Sequence, residues 1–148
     1  MRVAALLLPV LILAACGSQR SADEQLNTRV VTLPGGQRIQ AEVLVRPEDM
    51  ARGMMFRDSL APDHGMLFVH PQPAYYKYWM FQVRIPLDMI WMDSDRRIVE
   101  ISADTPPCKT ARDLCPTYGG HARAQFVLEL AGGMAAKYGL KTGGRIEF

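Results

Sequence analysis

The chain has 148 residues, 17 basic against 15 acidic side chains, a formal charge of +2 and a 49% hydrophobic composition. That is one domain's worth of sequence with enough apolar material for a single core. The balanced charge, with no basic stripe, argues against nucleic acid as a partner.

Chain order begins with Arg2, then the apolar run Val3 to Ile12, then Leu13-Ala14-Ala15-Cys16. A positive start, an apolar middle and a small-residue end predict an export signal over residues 1–15. The run is too short to span a bilayer, which needs roughly 20 apolar residues, and no spanning run follows it. The Ala-Ala-Cys ending resembles the lipobox of bacterial lipoproteins. That resemblance implies cleavage before Cys16, diacylation of its thiol and acylation of the new amino terminus. Two or three acyl chains suffice for stable membrane anchoring, whereas one is marginal. Gly17 rather than aspartate follows the cysteine, which by resemblance to enterobacterial sorting favours the outer membrane. The expected location is the bacterial cell envelope, as a periplasm-facing lipoprotein. Cys16→Ser is expected to leave an unlipidated precursor. Mass spectrometry checks this, and an acylated mature Cys16→Ser product would sink it.

Residues 16–28 are polar and aperiodic and predict a flexible tether; residues 29–148 predict a single β-rich domain. Arg29 to Leu33 is a strand, Pro34-Gly35-Gly36 a turn, and Arg38 to Val45 alternates as a second strand. Arg46-Pro47-Glu48-Asp49 opens a short helix, with proline early and acids in the first turn, which Gly53 weakens or ends. Short strands are then expected at Met66–Val69, Tyr78–Phe81, Leu87–Met92 and Arg97–Ile101, with a turn at Asp93–Arg96. Ser102 to Gly120 reads as a long loop rich in proline and cysteine. In the next strand Ala124, Phe126, Leu128 and Leu130 share one face, and Gln125, Val127 and Glu129 the other. A helical turn at Met134–Tyr138 closes on Gly139, and Arg145–Phe148 is a last strand. The fold class expected is mostly β, as a compact antiparallel sandwich or barrel with one or two short helices.

Lipidation of Cys16 leaves Cys108 and Cys115, an even pair in an exported chain, which reads as a disulfide. The alternatives are a metal pair or a redox pair. Zinc sites usually carry C-x2-C with further ligands, and redox pairs are C-x-x-C at a helix start. A bond closing so short a loop is worth about 2–3 kcal/mol.

Asp88 stands out because its neighbours Leu87, Met89, Ile90 and Trp91 are large and apolar. A buried carboxylate needs a partner. The expectation is an arginine from the Arg52–Arg57 segment gripping it with two parallel bonds; the blander reading is hydrogen bonds to loop amides. Tyr75, Tyr76, Tyr78, Trp79, Phe81 and Trp91 could floor a groove for sugars or peptides, or pack as core. Seven methionines lie between residues 50 and 92. With His64 and His70 they could bind Cu(I), though methionine is by default a core filler. Asp88 with Glu129 could form a carboxylate pair of the glycosidase kind. Nucleophile-elbow and phosphate-loop patterns are both absent from the sequence.

Five motifs in order, Arg52-Gly53-Met54-Met55-Phe56-Arg57, Gly65-Met66-Leu67-Phe68, Trp79-Met80, Ile85-Pro86-Leu87-Asp88-Met89 and Val127-Leu128-Glu129-Leu130 with Gly132, carry a family likeness. The chain resembles, from about Val30 to its end, the bacterial and archaeal family known as domain of unknown function 192. The resemblance implies a compact β-rich fold and no established activity, cofactor or catalytic residue. Phe81-Gln82-Val83 stands where that family usually shows Lys-Asn-Thr.

Two functional readings follow. The first is a lipid-anchored envelope binding or accessory module holding a small ligand, glycan or envelope protein, through Arg52, Arg57, Tyr76, Tyr78, Trp79 and Asp88. The second is an envelope hydrolase acting on carbohydrate or peptide through Asp88 with a second acid or His64. Copper binding is a lesser third. The missing reaction motif favours the first, and neither a cofactor nor a metal is expected.

Overall fold

The computed structural model describes residues 27–148. The predicted signal, the lipidated Cys16 and the tether up to residue 26 lie outside the described residues. Thr28, expected to end the tether, instead opens the first strand. The Asn27 carbonyl already accepts the Val43 N–H at 2.7 Å, so the sheet begins at the edge of the polar stretch.

Eight strands and two short helices follow: β1 (Thr28–Thr32), β2 (Arg38–Leu44), α1 (Pro47–Arg52), β3 (His64–Ala74), β4 (Lys77–Trp79), β5 (Leu87–Met92), β6 (Ile98–Thr105), β7 (Thr117–Gly119), β8 (Ala124–Ala131) and α2 (Met134–Lys137). Six strands form one sheet in the order β1-β2-β3-β8-β5-β6; β4 and β7 form a second, two-stranded sheet. The expected β-rich class is what the chain adopts, as a mixed open sheet and not a closed barrel. β2 and β3 run parallel, the other pairs antiparallel. Parallel neighbours need a long crossover, and the segment with α1 between Leu44 and His64 supplies it.

Local chemistry explains several joints. Pro47 is the first helical residue of α1, Glu48 and Asp49 occupy its first turn, and Gly53 ends it at φ 44°. In the β5–β6 turn the Asp93 carboxylate accepts the N–H groups of Asp95 and Arg97, both at 2.9 Å, a side-chain-capped turn. Within β3, Pro71 and Pro73 cannot donate to the ladder. The register with β8 shifts between Val69 and Ala74, and the chain leaves the large sheet to make β4. The expected last strand at Arg145–Phe148 is instead two isolated bridges, Thr32 to Glu147 and Arg97 to Arg145. The tail touches β1 on one side and the β5–β6 turn on the other, and Ile146 between them plugs the core.

Core side chains cover both faces of the large sheet. The first cluster gathers Val31, Ile39, Leu67, Ile90, Met92, Leu128 and Leu130 under Ala135, Leu140 and Ile146. The second gathers Phe68, Met66, Leu87, Met89, Trp91 and Val127 under Met54, Met80 and Val83. Every residue of β5 is buried, because a central strand covered on both faces has no solvent side. Met54, Met66, Met80, Met89 and Met92 are all core, at 1% exposure or less. They fill irregular gaps with a flexible apolar chain.

The cysteine-rich loop is stapled by Cys108–Cys115, with Cα atoms 5.7 Å apart. It encloses a short 3-10 turn at Arg112–Leu114 and leads into β7, a strand that the proline and cysteine content concealed.

Candidate functional site

The layer over the second core cluster encloses an open cleft of about 670 Å³. Met50, Ala51 and Arg52 of α1, followed by Met55 and Phe56, form one wall. His70, Tyr76, Tyr78 and Trp79 form another. Phe81 and Gln82 continue it, and Lys77 and Arg112 complete the lining. Four residues singled out from sequence, Arg52, Tyr76, Tyr78 and Trp79, therefore meet in one site.

The aromatic wall is positioned from beneath. Trp91 of β5 donates its indole N–H to the Tyr76 carbonyl at 2.9 Å, which ties the wall to the core. Tyr78 packs edge-on against Phe68 and Trp91. His70 and Tyr76 stack with ring centres 3.4 Å apart. The Tyr78 hydroxyl and His70 Nε2 are hydrogen-bonded at 3.1 Å, and the Tyr76 hydroxyl donates to the Gln72 carbonyl at 2.7 Å. Three tyrosines in four residues are thus accommodated by leaving Tyr75 63% exposed. Gly119 of β7 sits so close to Trp91 that a Cβ there would lie 2.2 Å from the indole, and its φ is 74°. Only glycine permits both.

Four non-glycine residues among those described have positive φ, and two of them, Phe56 (65°) and Gln82 (56°), line the cleft. The Phe56 N–H donates to the Gln82 carbonyl at 2.9 Å, so the strained pair joins the two walls at one point. Backbone strain of this kind persists only where the surroundings enforce it, and it clusters at functional sites. The Phe81-Gln82-Val83 departure from the family pattern falls here: Phe81 and Gln82 face the cleft, while Val83 is core.

The lining carries Arg52, Lys77 and Arg112 and no carboxylate. Arg112 lies over the rings of Trp79 and Phe81, 5.2 and 5.9 Å from their centres. Burial pushes His70 down to about 4, so its ring is neutral at neutral pH. Burial also raises Tyr78, with the Glu129 charge adding to the shift. Glu129 lies beneath the cleft, 4% exposed, and its Oε2 has no hydrogen-bond partner among the described residues.

Two sequence candidates fall elsewhere. Arg57 grips Glu42: one nitrogen is 2.6 Å from Oε2, and the other meets Oε1. The expected arginine on Asp88 is replaced by backbone amides. The Asp88 carboxylate, 0% exposed, accepts from Asp104 at 2.6 Å, Gly133 at 3.1 Å and Ala135 at 2.5 Å. The reason is strand parity. Asp88 pairs with Leu130 and Met89 with Glu129, and paired residues share a face. Asp88 thus points toward α2, away from the arginine-bearing layer. The same parity puts Asp88 and Glu129 on opposite sides of the sheet, which removes the glycosidase-type pair. His64 is exposed and hydrogen-bonded to Asp63 at 2.8 Å, whereas Asp88 is buried on backbone amides, so Asp88 and His64 do not meet. Among the described residues no group of three His, Cys, Asp or Glu is placed to hold a metal ion.

No curated protein matches the chain. Two solved structures do. One is a protein of unknown function from Novosphingobium aromaticivorans DSM 12444, 31% identical, with a TM-score of 0.73 over 82% of this chain and 85% of that one. The other, from Sinorhizobium meliloti 1021 and described as a candidate transcription regulator, is also 31% identical, with a TM-score of 0.73 over 81% of this chain and 92% of that one. The family model described as "uncharacterized ACR" matches residues 30–148, so the chain belongs to the family of domain of unknown function 192.

Proposed function

We propose that this protein is a lipid-anchored binding or accessory module of the bacterial cell envelope, and that the aromatic cleft is where it holds a small ligand. The observation carrying the binding reading is the cleft itself. It has the size of a small-molecule site, aromatic walls and a few polar groups at its edge. Its lining contains no carboxylate, and the buried acids Asp88 and Glu129 face opposite ways, so the Asp88-based pair weighed for a hydrolase is not part of it. The Ala14-Ala15-Cys16 pattern supports the anchor, and the Cys108–Cys115 bond agrees with an oxidising compartment.

A panel of sugars, nucleotides, amino acids and dipeptides tests the binding reading by thermal shift. A ligand at 100 times its Kd adds about 2.7 kcal/mol to native stability, or several degrees in Tm. The expected result is at least one compound that raises the wild-type Tm and loses most of that shift in Trp79→Ala. A shift retained in full by Trp79→Ala would place the ligand elsewhere.

A further inference from the structure

We infer that the cleft takes an organic anion with an apolar or aromatic body: the anionic group meets Arg52, Lys77 and Arg112, and the body lies against the ring-bearing walls. This rests on the reading of the cleft as a binding site and specifies its ligand.

The argument starts from where charge is balanced and where it is not. Beside the cleft, Arg57 is neutralised by Glu42 and Arg84 by Asp58. Inside it, Arg52, Lys77 and Arg112 make no ion pair with any described residue, and no acid lines the space. Three cations over a largely apolar lining repel a cationic ligand, and a neutral one leaves them without an ionic partner. All three side chains are exposed, so an anion there gains charge-assisted hydrogen bonds that added salt weakens.

Arg112 is the best prepared of the three. It sits inside the loop closed by Cys108–Cys115. The Cys108 N–H donates to the Met80 carbonyl at 3.1 Å, which fastens that loop just beyond Trp79. A guanidinium lying over Trp79 and Phe81 keeps its planar set of N–H donors available at the edge. Stacking and the staple together reduce the freedom Arg112 has left to lose when an anion arrives. The disulfide is thereby part of the site, as the anchor of a positioning loop.

Two fluorescent probes of nearly the same shape test the charge requirement on the purified protein. 8-Anilinonaphthalene-1-sulfonate carries a sulfonate; N-phenyl-1-naphthylamine has the same rings without it. The sulfonate probe is expected to bind roughly 10-fold or more tighter, the gain from charged hydrogen bonds, and to weaken as salt rises. Arg112→Gln and Arg52→Gln should each weaken it roughly 10-fold and leave the neutral probe unchanged. Trp79→Ala should weaken both probes. Each variant is compared at unchanged melting temperature; should one fail to fold, Lys77→Gln replaces it, and the salt series needs no variant. If both probes bind equally, with no salt dependence, and only Trp79→Ala matters, the cleft binds ligands but not anions, and this inference falls alone. If Trp79→Ala leaves both probes unaffected, the binding reading falls with it.

Discussion

Asp88→Ala is expected to destabilise the protein by about 3 kcal/mol or more, among the largest effects of any single substitution that leaves the cleft untouched. The carboxylate accepts three backbone N–H groups, from Asp104, Gly133 and Ala135, in a position with 0% exposure. Alanine removes both acceptor oxygens and strands three N–H donors, of which the Ala135 donor is buried and the other two part-buried; a stranded buried donor costs about 1–3 kcal/mol. The substitution also frees the start of α2, whose Gly133 and Ala135 amides hold the C-terminal cap over the first core cluster. Asp88→Asn separates the contributions. Its remaining carbonyl can serve Asp104 and Gly133 at Oδ1, but its amide would face the Ala135 N–H, donor against donor. The expected loss is intermediate, about 2 kcal/mol. Urea melts at neutral pH check both, with unchanged m-values marking a true stability change. An Asp88→Ala variant within 1 kcal/mol of wild type would show that the amides find other acceptors. Neither variant should alter probe binding, since Asp88 lies across the sheet from the cleft.

The contrast between Asp88 and the cleft shows how far local pattern reaches. The unbroken apolar run of Leu87–Met92 announces a strand covered on both faces, and its one acid announces a buried carboxylate in need of partners. The partners themselves lie 16, 45 and 47 residues further on. They depend on which strands become neighbours, and a two-residue period cannot say that. The arginine expectation failed for the same reason: Arg57 and Asp88 are close to the same sheet but on opposite sides of it. The β1–β2 hairpin, α1 with its early proline and terminal glycine, and the Asp93 turn were legible because each is decided within a few residues. The parallel pairing of β2 with β3 was not, since it is made by a crossover. Nor was the length of β3: a strand was expected at Met66–Val69, whereas β3 runs from His64 to Ala74 through two prolines that cannot donate to the ladder. For Trp79 and its tyrosines the sequence left a groove and core packing both open, and the fold uses both: Trp79 and Tyr76 line the cleft, while Tyr78 also packs against the core. Arg112 was not legible: nothing near it in sequence says that a staple carries it over Trp79.

Glu129 was the least legible residue of all. In the alternation of β8 it falls with Gln125 and Val127, opposite Leu128 and Leu130, where a polar side chain is ordinarily solvated. Here the layer built by α1, β4 and β7 covers that face, and Glu129 is buried with Oε2 unpartnered among the described residues. Burial pushes its carboxyl up from 4.5 to about 8; the positive charge of Arg57 opposes the shift without cancelling it. Arg57 is already committed to Glu42, and the other near neighbour that titrates, Tyr78, is held neutral by burial. The folded protein therefore keeps a proton on Glu129 through neutral pH that the unfolded chain has released. Because the folded pKa is the higher one, the stabilisation is complete below about 4.5 and is lost as pH rises through about 8. In the middle of that window the slope approaches ~1.4 kcal/mol per pH unit. Glu129→Gln keeps the shape and removes the titration. Its amide adds a cost or gain that does not change with pH, so the readout is the slope and not the offset. Unfolding free energies from urea melts at intervals from pH 5 to 9 are expected to fall steadily for wild type relative to the variant as pH rises. A difference between the two that stays constant across the range would mean that Glu129 is ionised in the folded state throughout, paired with Arg57 more closely than its burial allows.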